Sequence, residues 1–361
     1  MRRFTRRWRL RSPFPSSGRI VVVREMVLPT IVKMGATPLE TPQLWADSSL
    51  PKWVSDQPVQ RHIAWRRQYD ARRYARHLSQ TELNQRIRDI LVNLLAVDRI
   101  TNESALLLEK FTHVLEEMQL RYGPYPAGFR QDILHSEPFP NFASELAEKA
   151  AKQLSPLGLK RGDVFIKFGK RAHMERLHES GALRIQPATY FARTDHNGAV
   201  RDDELTLSLS LALSRHDIVK VVKNPQDLPP DAPEQRVDVK LQSPTDYWLY
   251  CVTNSVEPRL FIDFNADSCV IIRDRARFGQ ILCEASRQWL GGAAMNDGPM
   301  TYVDPLLPKT AEVFVPFVKH FRYTYQDEHR FCWLPPAPIQ EVTHVDVEIG
   351  SLKEFSDLIL L

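Results

Sequence analysis

The chain has 361 residues, of which 43% are hydrophobic and 25% charged, a composition that supplies a globular core and excludes a disordered or fibrous chain. Its 48 Lys and Arg against 44 Asp and Glu leave a net charge of only +4, too little to argue for a nucleic-acid partner by itself. No run approaches the ~20 apolar residues of a membrane span, and the length suggests roughly two domains.

Six arginines, Arg2, Arg3, Arg6, Arg7, Arg9 and Arg11, crowd the front, and no acid precedes Glu25. This tip lacks the apolar run of a secretory signal. It fits a transit peptide, a polyphosphate-binding arm, or translated sequence ahead of a start at Met26 or Met34. The reading adopted is a loose or artefactual tail. Residues 1–58 are Pro-rich, with Pro38, Pro42, Pro51 and Pro58 breaking any long element, and read as a flexible arm.

A helical region is expected over 59–160. Trp65 to His77 carries Arg66, Arg67, Arg72, Arg73 and Arg76 between Tyr69 and Tyr74. Such a stretch could contact nucleic acid by phosphate pairing and base stacking, or form the solvated face of a helix. Ser79-Gln80-Thr81-Glu82 fits a capping box, followed by Ile87, Ile90, Leu91, Leu94 and Leu95 at helical spacing. A second amphipathic helix is expected over 103–122, ended by Gly123 and Pro124, and a third over 142–154.

The character changes near Gly162, and 161–361 reads as an α+β domain, strand-rich and largely antiparallel. Strands are expected at 163–168, from Leu183, at 205–213, 237–241, 247–253, 260–264, 269–272, 301–303, 323–333 and 345–349, with helices over 170–180 and 276–289. The alternation of Leu205, Leu207, Leu209, Leu211 and Leu213 is the clearest strand signal. Cys251, Cys269, Cys283 and Cys332 are widely spaced with no C-x-x-C pair, so they read as reduced core thiols in a cytoplasmic protein. No metal site is expected. His173 and His178 stand five apart, the wrong spacing for ligands on one helix face.

No Walker loop, G-x-G-x-x-G, H-E-x-x-H or G-x-S-x-G is present. The candidate chemistry rests on strand ends. In the segment 321–331, Gln326, Glu328 and Arg330 fall on one face of a strand, and Asp327, His329, Phe331 and Trp333 on the other. Glu328 could hold a sugar hydroxyl and stabilise positive charge at an anomeric carbon; the plainer reading is an exposed Glu328–Arg330 pair. Lys167 and Gly169 end an early strand, where a glycine admits close backbone approach and a lysine can neutralise phosphate. Thr253 and Ser255 end a middle strand. Arg201-Asp202-Asp203-Glu204 offers paired carboxylates for acid–base work or cation binding, or is a polar loop before the next strand, the reading preferred. A metal-dependent nuclease built on Asp263, Glu328 and a nearby lysine is a weaker option.

The order of these motifs resembles the ADP-ribosyltransferases, in which an early basic residue contacts NAD, a T/S-x-S segment shapes the pocket and the Glu of Q/E-x-E holds the nicotinamide ribose. The resemblance implies Lys167, Thr253 with Ser255, and Gln326 with Glu328 in those roles, NAD as the consumed substrate, and an unidentified macromolecular acceptor. Roughly residues 163–355 also resemble a widespread bacterial domain family of uncharacterised function. The resemblance is carried by VFIKFGKRAHMERLHESGALRIQPATYF, RDDEL, YWLYCVTNS, LFIDFNADSCVII and PFVKHFRYTYQDEHRF. Members are often found among mobile or defence genes. The alternative expectation is a non-catalytic module that binds protein or nucleic acid, with a basic face and no pocket at Glu328.

Overall fold

A computed structural model describes residues 20–25, 32–33, 58–94, 102–123, 144–214, 234–290, 292–308, 312–339 and 342–361. The basic tip and most of the Pro-rich stretch lie outside these. The architecture is α+β: helices at the front, then a mainly antiparallel sheet region with interspersed helices.

In chain order the front contributes β1 (Ile20–Glu25), β2 (Val32–Lys33), α1 (Pro58–Ala71), α2 (Gln80–Leu94), α3 (Asn102–Tyr122) and α4 (Glu145–Leu154). The capping box forms as its residues dictate. The Ser79 amide donates to Glu82 Oε2 at 2.7 Å, and the Glu82 amide donates to Ser79 Oγ at 3.2 Å. Leu83, Ile87 and Ile90 then share a buried face with Tyr69, Tyr74, Val114 and Met118.

The back region follows as β3 (Phe165–Gly169), α5 (Arg171–Ser180), β4 (Ala182–Pro187), β5 (Thr206–Ser214), β6 (Glu234–Gln242), β7 (Trp248–Thr253), α6 (Arg259–Asp263), β8 (Ser268–Ile272) and α7 (Arg275–Ser286). The chain continues through β9 (Ala294–Pro299), β10 (Thr301–Val303), β11 (Glu312–Val313), β12 (Val318–His320), β13 (Glu328–Leu334), β14 (Val345–Glu348) and β15 (Ser356–Leu360). The alternating leucines behave as expected. Leu207, Leu209 and Leu211 are buried on β5, opposite Val237, Val239 and Leu241 of β6. The parallel partner of β6 is β1, so part of the Pro-rich front is a strand beside the back region.

The main sheet has eight strands, all paired antiparallel, and it branches at β7. One edge of β7 is filled by β13, from Glu328↔Thr253 to Trp333↔Trp248, and β9 pairs onto β13. The other edge is shared. β3 meets it only at Ile166↔Thr253, and β4 only at Gln186↔Leu249 and Pro187↔Trp248. Beyond β3 lie β8 and β15; beyond β4 lies β14.

Both faces of this sheet are covered. Phe165, Tyr250, Val252, Val270, Ile272, Phe331 and Trp333 pack with Met174 and Leu177 of α5 and Phe278 and Leu282 of α7. On the opposite face, Ile166, Phe168, Cys269 and Ile271 pack against α4 and α6. Burial on both sides explains why β8 reads as the unbroken apolar run Cys-Val-Ile-Ile.

Two expected strands are corrected. Leu260–Phe264 is helical as α6, because a short apolar run carries no period of its own. The expected strand from Tyr323 begins only at Glu328. Phe321–Gln326 forms a 3-10 helix, and Asp327 turns the chain at φ 44°.

Candidate functional site

The side chains of Cys251 and Thr253 on β7 stand beside those of Arg330 and Glu328 on β13, because paired residues share a face. This face lies between two apolar clusters, one around Ile166, Phe168 and Phe261, the other around Tyr247, Leu249 and Cys332. A polar layer and a cavity of about 240 Å³ occupy that interval. Its polar walls are Lys167, Glu204, Thr253, Lys319, Gln326 and Glu328, and Phe168, Phe191 and Phe264 supply aromatic surface.

Four sequence-predicted residues therefore meet: Lys167, Thr253, Gln326 and Glu328. Gly169 and Ser255 do not line the cavity. The Gly169 carbonyl accepts from Ser268 Oγ at 2.8 Å, and an added Cβ there would lie 2.9 Å from Met174 Cε. The glycine marks close packing against the flexible end of Met174 on α5, not ligand approach. Ser255 has passed the strand end, and its amide donates to Thr253 Oγ1 at 3.0 Å. The Thr253 hydroxyl in turn donates to the Gln326 carbonyl at 2.5 Å, which clamps the turn into β13. Although Gln326 sits on the 3-10 helix, its side chain reaches the cavity wall, where Nε2 donates to the Ala199 carbonyl at 2.7 Å.

Glu328 is buried, and both of its oxygens are engaged. Oε1 accepts from Arg330 Nε at 2.8 Å, and Oε2 from Lys319 Nζ at 3.0 Å. Arg330, with no exposure, also donates to Glu204 Oε2 at 2.7 Å and Oε1 at 3.0 Å, and to the Pro316 carbonyl at 2.8 Å. Lys319 stands 3.5 Å from Glu204 Oε1. Glu204 and Glu328 thus face Lys319 and Arg330, two carboxylates against two cations, all four buried. The exposed Glu328–Arg330 pair expected from sequence is a real pair, but a buried one.

The electrostatics follow from this packing. Burial pushes the Glu328 carboxyl up, but Arg330 and Lys319 outweigh it and hold the group well below the ordinary carboxylate range. Burial works against the Lys319 ammonium, yet Glu328, Glu204 and Asp202 raise its pKa well above the lysine value. Lys167 goes the other way. Burial lowers it, and the weaker pull of Cys251 and Glu328 does not compensate. Burial also pushes the Cys251 thiol up to about 12. Asp202 is pushed up to about 6, by burial first and by Glu204 second.

Sequence reasoning missed Glu204, Lys319 and Arg330 as members of one cluster. Glu204 belongs to the Arg-Asp-Asp-Glu segment read as a polar loop; Asp203 is exposed as that reading expects, but Asp202 is half-buried and Glu204 is buried. Lys319 carried no local signal. Among the described residues no group of His, Cys, Asp and Glu could hold a metal ion. Asp263, weighed for a nuclease, pairs with Arg259 at 2.7 Å and lies off the cavity wall.

The basic stretch is turned partly inward. Arg66 pairs with Glu116, and Arg73 with Glu117 at 2.9 Å. Tyr69 and Tyr74 are buried, with Tyr69 bonded to Glu117 and Tyr74 to His113 at 3.1 Å. Neither tyrosine offers a ring for base stacking. Arg67 is exposed, while Arg72 and Arg76 are half-buried and have partners. No helix among the described residues is long and apolar enough to cross a membrane.

No protein-family model, curated protein or solved structure matches this chain.

Proposed function

We propose that the cavity is the substrate pocket of an NAD-consuming enzyme of the ADP-ribosyltransferase kind. The observation that carries this reading is the meeting of Lys167, Thr253, Gln326 and Glu328, drawn from three strands and a 3-10 helix, on one cavity. Its volume, about 240 Å³, is below the ~300–1,000 Å³ of pockets that enclose drug-sized ligands. It suits the nicotinamide–ribose end of NAD, with the remainder outside. The aromatic side chains of Phe168, Phe191 and Phe264 suit a flat ring.

In this reading, cleavage of the nicotinamide–ribose bond leaves positive charge on the ribose. Glu328 meets that charge as a carboxylate, because Arg330 and Lys319 keep it ionised. Gln326, held by Ala199 at its amide nitrogen, orients the acceptor. A contact between NAD and Lys167 requires the ligand to replace the bond from Nζ to the Cys251 carbonyl.

The test is release of nicotinamide from labelled NAD by the full chain. Glu328→Gln is expected to lower it by about 100-fold or more, the usual loss when one electrostatic stabiliser is removed. Unchanged turnover in that variant, or no turnover in the wild type, overturns the reading.

A second reading is a non-catalytic binding protein. It is favoured by the pairing of both Glu328 oxygens with buried cations, the arrangement of a structural ion-pair cluster. The cavity beside Glu328 weighs against the pocketless form of that module. Saturable binding of NAD without turnover supports it.

A further inference from the structure

Two lysines line the cavity, and their surroundings are opposite. Lys319 has a carboxylate oxygen at 3.0 Å and another at 3.5 Å. Lys167 has no carboxylate within ion-pair distance among the described residues. Among the described residues its side chain makes one hydrogen bond, from Nζ to the Cys251 carbonyl at 2.7 Å.

The branching of the sheet produces this environment. After Ile166↔Thr253, β3 leaves β7, and β4 rejoins β7 only at Leu249. The Cys251 carbonyl would otherwise face an open seam, and Lys167 fills it. Beneath the amine lies the Tyr250 ring, 4.5 Å away, and the cavity beside it is walled by Ile166, Phe168, Phe191 and Phe264. The ring favours the charged form, but burial dominates and lowers the pKa. A neutral amine can still donate one hydrogen to Cys251 O while its lone pair is free.

We infer that Lys167 is a covalent carbonyl site, its amine condensing with small aldehydes or ketones that carry an aromatic or apolar group. The nitrogen lone pair attacks the carbonyl carbon, and the C=O π pair moves onto oxygen. That oxygen takes a proton while the nitrogen loses one to solvent, giving a carbinolamine. The hydroxyl, protonated by solvent, leaves as water as the nitrogen lone pair forms the C=N bond of an iminium, which returns its remaining N–H proton to solvent to give the imine. The balance is one amine and one carbonyl to one imine and one water, with no oxidant or reductant. Desolvated lysines carry out this chemistry because the attacking species is the free amine. The inference stands whether or not the cavity turns over NAD.

The experiment treats the full chain with benzaldehyde at neutral pH, with cyanoborohydride delivering hydride to any imine, and maps the benzylated lysines by mass spectrometry. Lys167 is expected to be modified several-fold ahead of the exposed Lys160 and Lys353, because burial favours its free amine, and with saturation in benzaldehyde. In urea-denatured chain the preference is expected to vanish, and in Lys167→Arg the saturable phase is lost. Modification spread evenly over surface lysines in the native wild type overturns the inference. So does a preference for Lys167 that survives denaturation. Because mapping is done on the wild type, the result stands even if Lys167→Arg does not fold.

Discussion

Arg330 lies two residues from Glu328 on the same strand, and its Nε donates to Glu328 Oε1 at 2.8 Å, the arginine with no exposure and the glutamate buried at 7%. The arginine also holds Glu204 with two further bonds. One guanidinium therefore joins the loop before β5 to the strand that presents Glu328. Removing it leaves Lys319 as one cation against two buried carboxylates, Glu204 and Glu328. Arg330→Met is expected to destabilise the fold by about 3–5 kcal/mol, the usual cost of breaking one side of a buried pair. Glu204→Gln in the same background should recover part of that loss, since it removes one of the two carboxylate charges. Urea unfolding of the single and double variants checks both. A cost under about 1 kcal/mol for Arg330→Met, the level of an exposed pair, refutes the assignment.

Asp202 and Glu328 pull the pH dependence of stability in opposite directions. Glu328 has a depressed pKa. The stability it contributes is present above the ordinary glutamate range and is lost as pH falls below it. Asp202 is raised to about 6 from an ordinary aspartate value of about 4. Its stabilisation is full below about pH 4 and is lost as pH rises through about 6. Asp202→Asn removes the second effect alone. The variant should be more stable than the wild type at pH 7 by on the order of 1–2 kcal/mol, with the advantage shrinking toward pH 4. Thermal unfolding across that range measures it. A constant difference at every pH shows that Asp202 ionises as freely in the folded chain as in the unfolded one.

How much of this was legible depended on whether the signal was local. The Ser79–Glu82 box and the alternating leucines of β5 depend on neighbours a few residues away, so pattern found them. β9, Ala-Met-Asn-Asp-Gly-Pro, went unread because it is an exposed strand paired only with β13, with no apolar face to display. α6 was misread because five apolar-rich residues fit either element. Lys167, Thr253, Gln326 and Glu328 could be gathered as a motif order, but not their partners. Glu204 and Arg330 are 126 positions apart, and no local spacing marks two charges that will be buried together. Reading Glu328 and Arg330 on one strand face was correct; assigning that face to solvent was not.

The turn after α5 leads the chain into β4, which pairs with the same edge of β7 as β3 does. Gly181 ends α5 at φ +70°, where its amide bonds back to the Leu177 carbonyl at 3.0 Å. A Cβ there would lie 2.1 Å from the Gly350 carbonyl oxygen and 2.9 Å from the Gly350 amide nitrogen. Ile349 Cγ1, 2.7 Å away, is a side-chain atom that could shift, but the two Gly350 atoms are backbone and cannot swing aside. Gly158 has a similar φ of +59°, but a Cβ there meets nothing within 4 Å. The two glycines separate left-handed strain from collision. Gly158→Ala is expected to cost about 1–2 kcal/mol, the strain alone. Gly181→Ala adds overpacking of about 1–3 kcal/mol and should cost about 3 kcal/mol or more in all. Urea unfolding of both variants reads the difference, and equal costs would mean that the Gly350 segment moves away from α5 without penalty. If Gly181→Ala stays folded, faster hydrogen exchange at Ile349, whose amide donates to the Gly181 carbonyl at 3.2 Å, locates the damage at this junction.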